Sequence, residues 1–164
     1  MLMAIFSFAA VSCDNRNDDV NYQDTYSVVL DIKNVSFANT ADGYSIKRSF
    51  TKPMVSSDVV LIYRKANPNA GANEPTIWQL IPRTLYLDGG DELDYDFDFT
   101  VNDVMIYANG NYDISTTPAY LTNQTFRVVL VPASVGGKGI TVDYSDYNKV
   151  IKLYKIDDSK VKNL

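Results

Sequence analysis

The sequence predicts an all-β fold, an antiparallel β-sandwich with a short C-terminal helix, and three observations support this prediction. Apolar and polar residues alternate with a period of two in much of the chain after Thr25, as they do in strands that bury one face. Turn-forming Gly, Pro, Asn and Asp residues separate these segments at short intervals. About seven to nine short strands at this spacing are typical of an immunoglobulin-like or jelly-roll-like sandwich. The predicted domain covers residues 25–157 as a single unit.

Residues 1–12 (MLMAIFSFAAVS) are uncharged and largely apolar, and small residues precede Cys13. The segment is too short to cross a bilayer, which takes roughly 20 apolar residues, but its length suits a secretory signal peptide. Small residues before a cysteine resemble the bacterial lipobox, in which the cysteine is acylated and becomes the new N-terminus after cleavage. We therefore expect a lipoprotein signal peptide over 1–12 and lipidation at Cys13. The alternative is a first buried strand in which Cys13 is an inert small hydrophobic residue.

Residues 13–24 are expected to join the lipidated cysteine to the domain. From Asp14 to Asp24 the chain has four acidic residues and one arginine, a net charge of −3, and almost no apolar side chain to bury. This composition predicts a flexible acidic tether. Acid-rich stretches after a lipobox resemble the surface-export signals of Bacteroidetes lipoproteins, and the alternative is a plain polar linker.

The strands are expected in two classes. Segments 26–33, 44–50 and 93–99 alternate between apolar and polar residues and predict strands with one buried face, and 93–99 (LDYDFDF) has one aromatic and one anionic face. Two further segments, 59–63 and 126–131, are apolar at nearly every position, which indicates central strands buried on both faces. Shorter strands are expected at 77–81, 84–87, 104–108 and around 140–142.

Turn signals lie between these segments. The Asp-Gly-Gly sequence at 88–90 is expected to link two strands, and the Asn-Gly sequence at 109–110 is the strongest hairpin dipeptide in the chain. All six prolines fall at strand ends or in loops, where the missing N–H group costs little.

The C-terminal region predicts the one helix. Ser145 or Asp146 is expected to cap it, and it continues to about residue 156 with apolar residues at helical spacing. Residues 158–164 are expected to form a frayed tail. The apolar positions of the helix are Tyr147, Val150, Ile151 and Tyr154.

Six segments, in this order, carry a resemblance to a known family. They are 58–63 (DVVLIY), 78–82 (WQLIP), 93–100 (LDYDFDFT), 103–106 (DVMI), 124–133 (QTFRVVLVPA) and 142–148 (VDYSDYN). Together they resemble a family of Bacteroidetes (flavobacterial-type) lipoproteins of unknown activity. Members often carry a collagen-like Gly-Pro repeat before this domain, whereas residues 14–24 contain neither Gly nor Pro. The resemblance implies an envelope lipoprotein and no particular biochemical activity.

Composition excludes several kinds of chemistry. The chain has no histidine and one cysteine, so it cannot form a Ser-His-Asp or Cys-His catalytic pair, an imidazole metal site or an intrachain disulfide. The net charge of −5 argues against nucleic acid as a partner. We therefore expect a protein that is not an enzyme and that has no cofactor.

Six carboxylates lie within residues 88–98 without a basic residue among them. They are Asp88, Asp91, Glu92, Asp94, Asp96 and Asp98. The first three, at the Gly-Gly turn, are a weak Ca²⁺ candidate, although their spacing does not match a known loop motif. The last three alternate along one strand and therefore form a line rather than a converging site. The favoured interpretation is that no metal binds and that Lys and Arg on a neighbouring strand pair with this face.

Aromatic residues provide the candidate binding site. Tyr112 and Tyr120 lie in a predicted loop near Pro118, where exposed rings could stack on sugars. Other aromatic residues are expected to fill the core because they alternate with polar residues. These core candidates are Tyr63, Trp78, Tyr95, Phe97, Phe99 and Phe126.

The sequence-based hypothesis is a lipid-anchored lipoprotein of the outer membrane or cell surface, exported through its signal peptide. Its expected role is that of a non-enzymatic structural or interaction module. The alternative is a surface lipoprotein that binds a glycan or another ligand through Tyr112 and Tyr120. The expected partners are the membrane, through the lipid anchor, and a glycan or an envelope protein.

Overall fold

The computed structural model describes residues 27–41, 43–71, 73–132 and 142–164. Cys13, the predicted signal peptide, the predicted tether and most of the strand predicted around 140–142 lie outside these residues. The described chain forms ten strands in two five-stranded sheets and one α-helix. This confirms the prediction of a mainly antiparallel β-sandwich with a short C-terminal helix.

The strands divide between the sheets in a simple way. The first sheet has the order β10-β1-β9-β4-β5 and the second β2-β3-β8-β7-β6. Neighbouring strands are antiparallel except β1 and β10, which are parallel. The strands are β1 (Val28–Val35), β2 (Ala38–Thr40), β3 (Gly43–Ser49), β4 (Val59–Lys65), β5 (Trp78–Ile81), β6 (Arg83–Tyr86), β7 (Glu92–Phe99), β8 (Asp103–Gly110), β9 (Gln124–Val131) and β10 (Lys162–Asn163), and the helix is α1 (Tyr147–Leu153).

The main core lies between the sheets. Ile32 of β1 and Leu93 of β7 are both fully buried there, as the period-two pattern predicts. Phe37 links the sheets, because its ring centroid lies 5.9 Å from those of both Tyr95 and Phe126. Burying large aromatic side chains in this way is a major source of stability.

A second core lies on the outer face of the first sheet. Leu61 and Val129 face outward from β4 and β9, and α1 packs over them with Val150 fully buried. The apolar character of segments 59–63 and 126–131 is thereby explained, since these strands are covered on both faces. The prediction that they are central strands is confirmed.

The helix ends earlier than predicted. Its start is as expected, because a side-chain oxygen of Asp146 accepts a hydrogen bond from the Lys149 N–H at 3.1 Å. Its end is set by Lys155, which has a φ of 51°, and by the Ile156 N–H, which donates to the Ile151 carbonyl at 2.9 Å. This left-handed closing turn ends the helix at Leu153, although the apolar spacing continues.

The last residues are not frayed. β10 pairs with β1 through Leu30 and Asp31, and the Leu164 N–H donates to the Asp31 carbonyl at 2.9 Å. The Leu164 side chain also packs against the main core. The prediction for 158–164 was wrong because an exposed sheet edge provides free backbone groups that composition alone does not show.

The Asn-Gly dipeptide does not form a hairpin turn. Asn109 and Gly110 continue β8 and pair with Asp94 and Leu93 of β7. The turn between β7 and β8 lies at residues 100–102 instead. Gly110 is required for another reason, because a Cβ atom there would lie 2.8 Å from the Glu92 carbonyl oxygen.

The sandwich has two ends with different roles. At the entry end, β1 begins at Val28, which pairs with Leu130 near the end of β9. At the opposite end, which we call the loop end, Arg64 of the first sheet lies against Tyr95 of the second. The entry end comprises residues 27–28, 50–58, 100–102 and 131–132, and the loop end comprises 66–71, 73–77, 87–91 and 111–123.

Val150→Ala tests the role of α1 as a cover for the first sheet. Removing two buried methyl groups should lower the free energy of unfolding by about 2 kcal/mol, through lost burial and the cavity left behind. Lys152→Ala, at an exposed position of the same helix, is the matched control and should have almost no effect. Chemical denaturation measures both, and equal effects would show that α1 is not packed on the sheet.

Candidate functional site

Arg64 is a buried charge at the loop end of the sandwich. It is only 5% exposed, and it belongs to β4, a strand in which all residues from Val60 to Tyr63 are also buried. Val60 and Ile62 face the main core, so the alternation of the strand turns Arg64 inward as well. An arginine is rarely buried to this extent unless a partner is present.

A glutamine holds the guanidinium from one side. Nε of Arg64 donates to Oε1 of Gln124 at 2.9 Å. Gln124 is 1% exposed, and its amide nitrogen donates to the carbonyls of Ala119 and Thr122 at 2.9 and 2.7 Å. These two hydrogen bonds orient the amide, so that its oxygen points toward Arg64.

Two tyrosines cover the guanidinium. Its central carbon lies 4.8 Å from the ring centroid of Tyr95 and 5.9 Å from that of Tyr120, within the range of a cation–π interaction. The Tyr95 hydroxyl donates to the Tyr120 carbonyl at 2.7 Å, which ties strand β7 to the loop. Burial raises the pKa of Tyr95 to about 12, and the nearby Arg64 partly opposes this rise.

Of the predicted site residues, Tyr120 belongs to the Arg64 cluster, which comprises Arg64, Tyr95, Tyr120 and Gln124, whereas Tyr112 lies in the same loop without a contact to Arg64. Both tyrosines lie in the 111–123 loop, and their half-buried rings pack against the main core. The Tyr112 hydroxyl lies 2.6 Å from the Thr117 hydroxyl. Neither ring is therefore a fully exposed stacking surface, and the structure adds Arg64 and Gln124, which the sequence analysis did not identify.

A second arginine shows what a fully paired guanidinium looks like in this fold. On the outer face of the first sheet, Arg127 donates to both carboxylate oxygens of Asp31, at 2.7 and 3.0 Å. Arg127 also donates to the Tyr147 hydroxyl at 2.6 Å and lies 4.4 Å from the ring centroid of Trp78. The Tyr147 hydroxyl in turn donates to Asp158 at 2.9 Å. This network fastens the C-terminal segment to the sheet.

Trp78 borders a groove between β5 and the start of α1. The groove has a volume of about 300 Å³ and is lined by Thr76, Ile77, Trp78 and residues 145–148. Trp78 is half-buried rather than part of the main core, because it packs in the second core beside Arg127. The Trp78 ring therefore already makes a cation–π contact within the protein.

The acidic segment does not form a metal site in the described part of the chain, where no group of three or more potential ligands converges. This includes the weak candidate Asp88, Asp91 and Glu92. The carboxylate of Asp94 accepts a hydrogen bond from the Thr84 hydroxyl, and that of Asp96 accepts one from the Phe97 N–H at 2.8 Å.

The expected pairing of the β7 carboxylates with basic residues is not found. Among the described residues, no Lys or Arg nitrogen lies within 4.0 Å of the carboxylates of Asp94, Asp96 or Asp98. Their partners across β8 are Asn109, Tyr107 and Met105, none of which is basic. The prediction was wrong because it depended on strand order: Lys47 lies one strand further away, on β3, and pairs with Asp103.

One exposed aromatic residue was also not identified from the sequence. Tyr86, the last residue of the edge strand β6, is 79% exposed at the loop end.

Arg64 and Gln124 had a weak sequence signal, since each is polar at a strand position that alternation turns inward. Only the pairing of β4 with β9 shows that the two residues meet.

Comparison of the chain with protein-family models, with curated proteins and with solved structures gives no match. Within the described residues, no helix has the length and apolar character needed to cross a bilayer.

The buried tyrosines predict a loss of stability at alkaline pH. Burial raises the pKa of Tyr63, Tyr95 and Tyr147 above the value of about 10 for tyrosine in an unfolded chain. Their contribution to the free energy of unfolding is fully present below pH 10. It is lost as the pH rises above 10, because the unfolded chain then releases the tyrosine hydroxyl protons while the folded chain keeps them. The free energy of unfolding should fall by up to ~1.4 kcal/mol per pH unit for each tyrosine.

Denaturation of Tyr95→Phe between pH 8 and pH 11.5 measures this effect. Its free energy of unfolding should fall less steeply above pH 10 than that of the wild type. Tyr86→Phe, which changes an exposed ring, is the control and should keep the wild-type slope. A slope unchanged by Tyr95→Phe would contradict the assignment.

Proposed function

We propose that this protein is a lipid-anchored interaction module of the bacterial cell envelope, held at the outer membrane or cell surface through Cys13. The observation that carries the proposal is that the two ends of the sandwich differ. β1 begins at the entry end, so the predicted tether reaches the domain there. The long loops and the buried Arg64 cluster lie at the opposite end, where a partner has access to them.

The proposed tether is long enough to keep the domain clear of lipid head groups. Residues 14–27 can extend to at most about 50 Å. Their predicted charge of −3 favours an extended chain, because like charges repel. On average the entry end then lies nearer to the membrane and the loop end faces away from it.

A binding role fits the ionisable groups better than a catalytic one. The tyrosines with a raised pKa remain protonated at neutral pH, and their hydroxyls hold structural hydrogen bonds such as that from Tyr63 to the Tyr144 carbonyl, at 2.7 Å. The carboxylates with a lowered pKa, such as Asp113 and Asp143, are exposed and accept hydrogen bonds from nearby serines. These groups therefore act as caps and turn formers rather than as acids or bases.

Glycan binding is a second candidate, and Tyr86 is the observation that favours it. A ring that is 79% exposed at the loop end offers a flat surface on which a sugar can stack. The half-buried Tyr112 and Tyr120 give less support, because their rings already pack against the core. Glycan-array binding that is lost in Tyr86→Ala would favour this candidate.

Cys13→Ala tests the anchor. The variant should incorporate no labelled fatty acid and should move from the membrane fraction to the soluble fraction, because the acylated residue is missing. Ser12→Ala is the matched control, since it keeps a small residue before the cysteine and should still be lipidated. Continued lipid incorporation by Cys13→Ala would refute the lipobox assignment.

The orientation can be measured on the lipidated protein with fluorescent labels. Ser56→Cys places a thiol at the entry end and Ala119→Cys at the loop end, and both positions are exposed. Spin-labelled lipids in the membrane should quench a label at position 56 more strongly than one at position 119. Equal quenching, or stronger quenching at 119, would contradict the proposed presentation of the loop end.

A further inference from the structure

We propose that the loop end contains a binding site for a carboxylate group, with Arg64 as the residue that binds it. The ligand group is an acidic side chain or a chain terminus of a partner protein, or a small carboxylate. This inference deepens the proposed interaction role, because it names the chemical group that the loop end recognises. The identification of the ligand as part of a partner protein rests on that proposed role, whereas the carboxylate site itself does not.

The first argument is the unpaired charge of Arg64. No carboxylate of a described residue lies within 4.0 Å of its guanidinium, although the residue is only 5% exposed. Its contacts are all neutral: the amide of Gln124, the hydroxyl and ring of Tyr95, and the ring of Tyr120. A buried charge is costly unless an opposite charge accompanies it.

The second argument is the number of hydrogen-bond donors left over. Arginine has five N–H donors. In the described structure the Nε group of Arg64 donates to Gln124, and the guanidinium also hydrogen-bonds the Tyr95 hydroxyl. No side-chain nitrogen among the described residues is both shielded from solvent and without a hydrogen-bond partner. The Nη donors that Tyr95 does not use must therefore reach solvent, where they are available to an incoming group.

The third argument is that the guanidinium of Arg64, including the edge formed by its Nη groups, is held in place. Gln124 fixes Nε, and the tyrosine rings restrict the guanidinium plane, so little side-chain freedom remains to be lost on binding. Two parallel N–H donors match the two oxygens of a carboxylate. Arg127 already makes a two-point pairing of this kind with Asp31 inside the same protein.

The surroundings favour a singly charged group over phosphate. The loop end also carries Asp88, Asp91 and Asp113. These acidic residues repel a dianion more strongly than a single carboxylate. Tyr120, in the short 3-10 turn Pro118–Tyr120, lies at the edge of the site and is the residue that would contact the rest of the ligand.

The test is a titration of the full chain, with ¹⁵N-labelled arginine side chains observed by NMR. The probe is acetate, with acetamide as its neutral analogue and inorganic phosphate as a dianion, all at constant ionic strength. Acetate should shift the Arg64 side-chain signals saturably, phosphate should do so more weakly, and acetamide should have no effect. A linear shift shared by all arginines would refute the site, as would a saturable response to acetamide.

Variants complete the test. Arg64→Lys keeps the charge but loses the paired donors, so acetate affinity, read from the thermal shift, should fall by about tenfold or more. Gln124→Glu places an internal carboxylate against Arg64 and should also remove the acetate response, which keeps the test valid if Arg64→Lys does not fold. Arg83→Gln, at an exposed position on β6, should respond like the wild type. Acetate binding that is unchanged in Arg64→Lys or in Gln124→Glu would overturn the proposal.

The result is independent of membrane anchoring. Acetate binding in a protein that is not lipidated would support the carboxylate site and refute only the anchor. Failure of acetate to bind a correctly lipidated protein would refute only the carboxylate site.

Discussion

Two strands that are apolar on both faces determine how the rest of the molecule is arranged. β4 and β9 lie side by side within the first sheet, and each contributes to the core between the sheets and to the core outside it. A two-layer sandwich would leave residues such as Leu61 and Val129 in water, at a cost of roughly 2 kcal/mol each. The C-terminal segment must therefore pack across the first sheet, and the second sheet, whose outer face is polar along β7, needs no such cover.

The attachment of that segment combines apolar and polar contacts. Val150 fills the space between helix and sheet, while Arg127 joins the sheet residue Asp31 to Tyr147 of the helix. The guanidinium is largely buried but fully paired, so its charge does not oppose folding as an isolated one would. The same fold thus contains one arginine neutralised by its own chain and another, Arg64, that is not.

The sequence allowed the strand class, most strand positions and the two-sided burial of β4 and β9 to be predicted, because side-chain periodicity depends only on neighbours along the chain. It could not predict that Asp94 lies beside Asn109 rather than beside a lysine, since this depends on strand order. The short strand β10 and the contact of Arg64 with Gln124 were missed for the same reason. Alternation showed which way each side chain points but not which side chain it meets.

The pairing of β1 with β9 also affects how quickly the domain can fold. Asp31 and Arg127 lie 96 residues apart in the sequence, and the two central strands of the first sheet can pair only after most of the domain is available. Chains dominated by such distant contacts fold in milliseconds to seconds, far more slowly than helical bundles. Slow sheet assembly would also suit the export proposed for this protein, because it leaves time for transport of an unfolded chain before the fold closes.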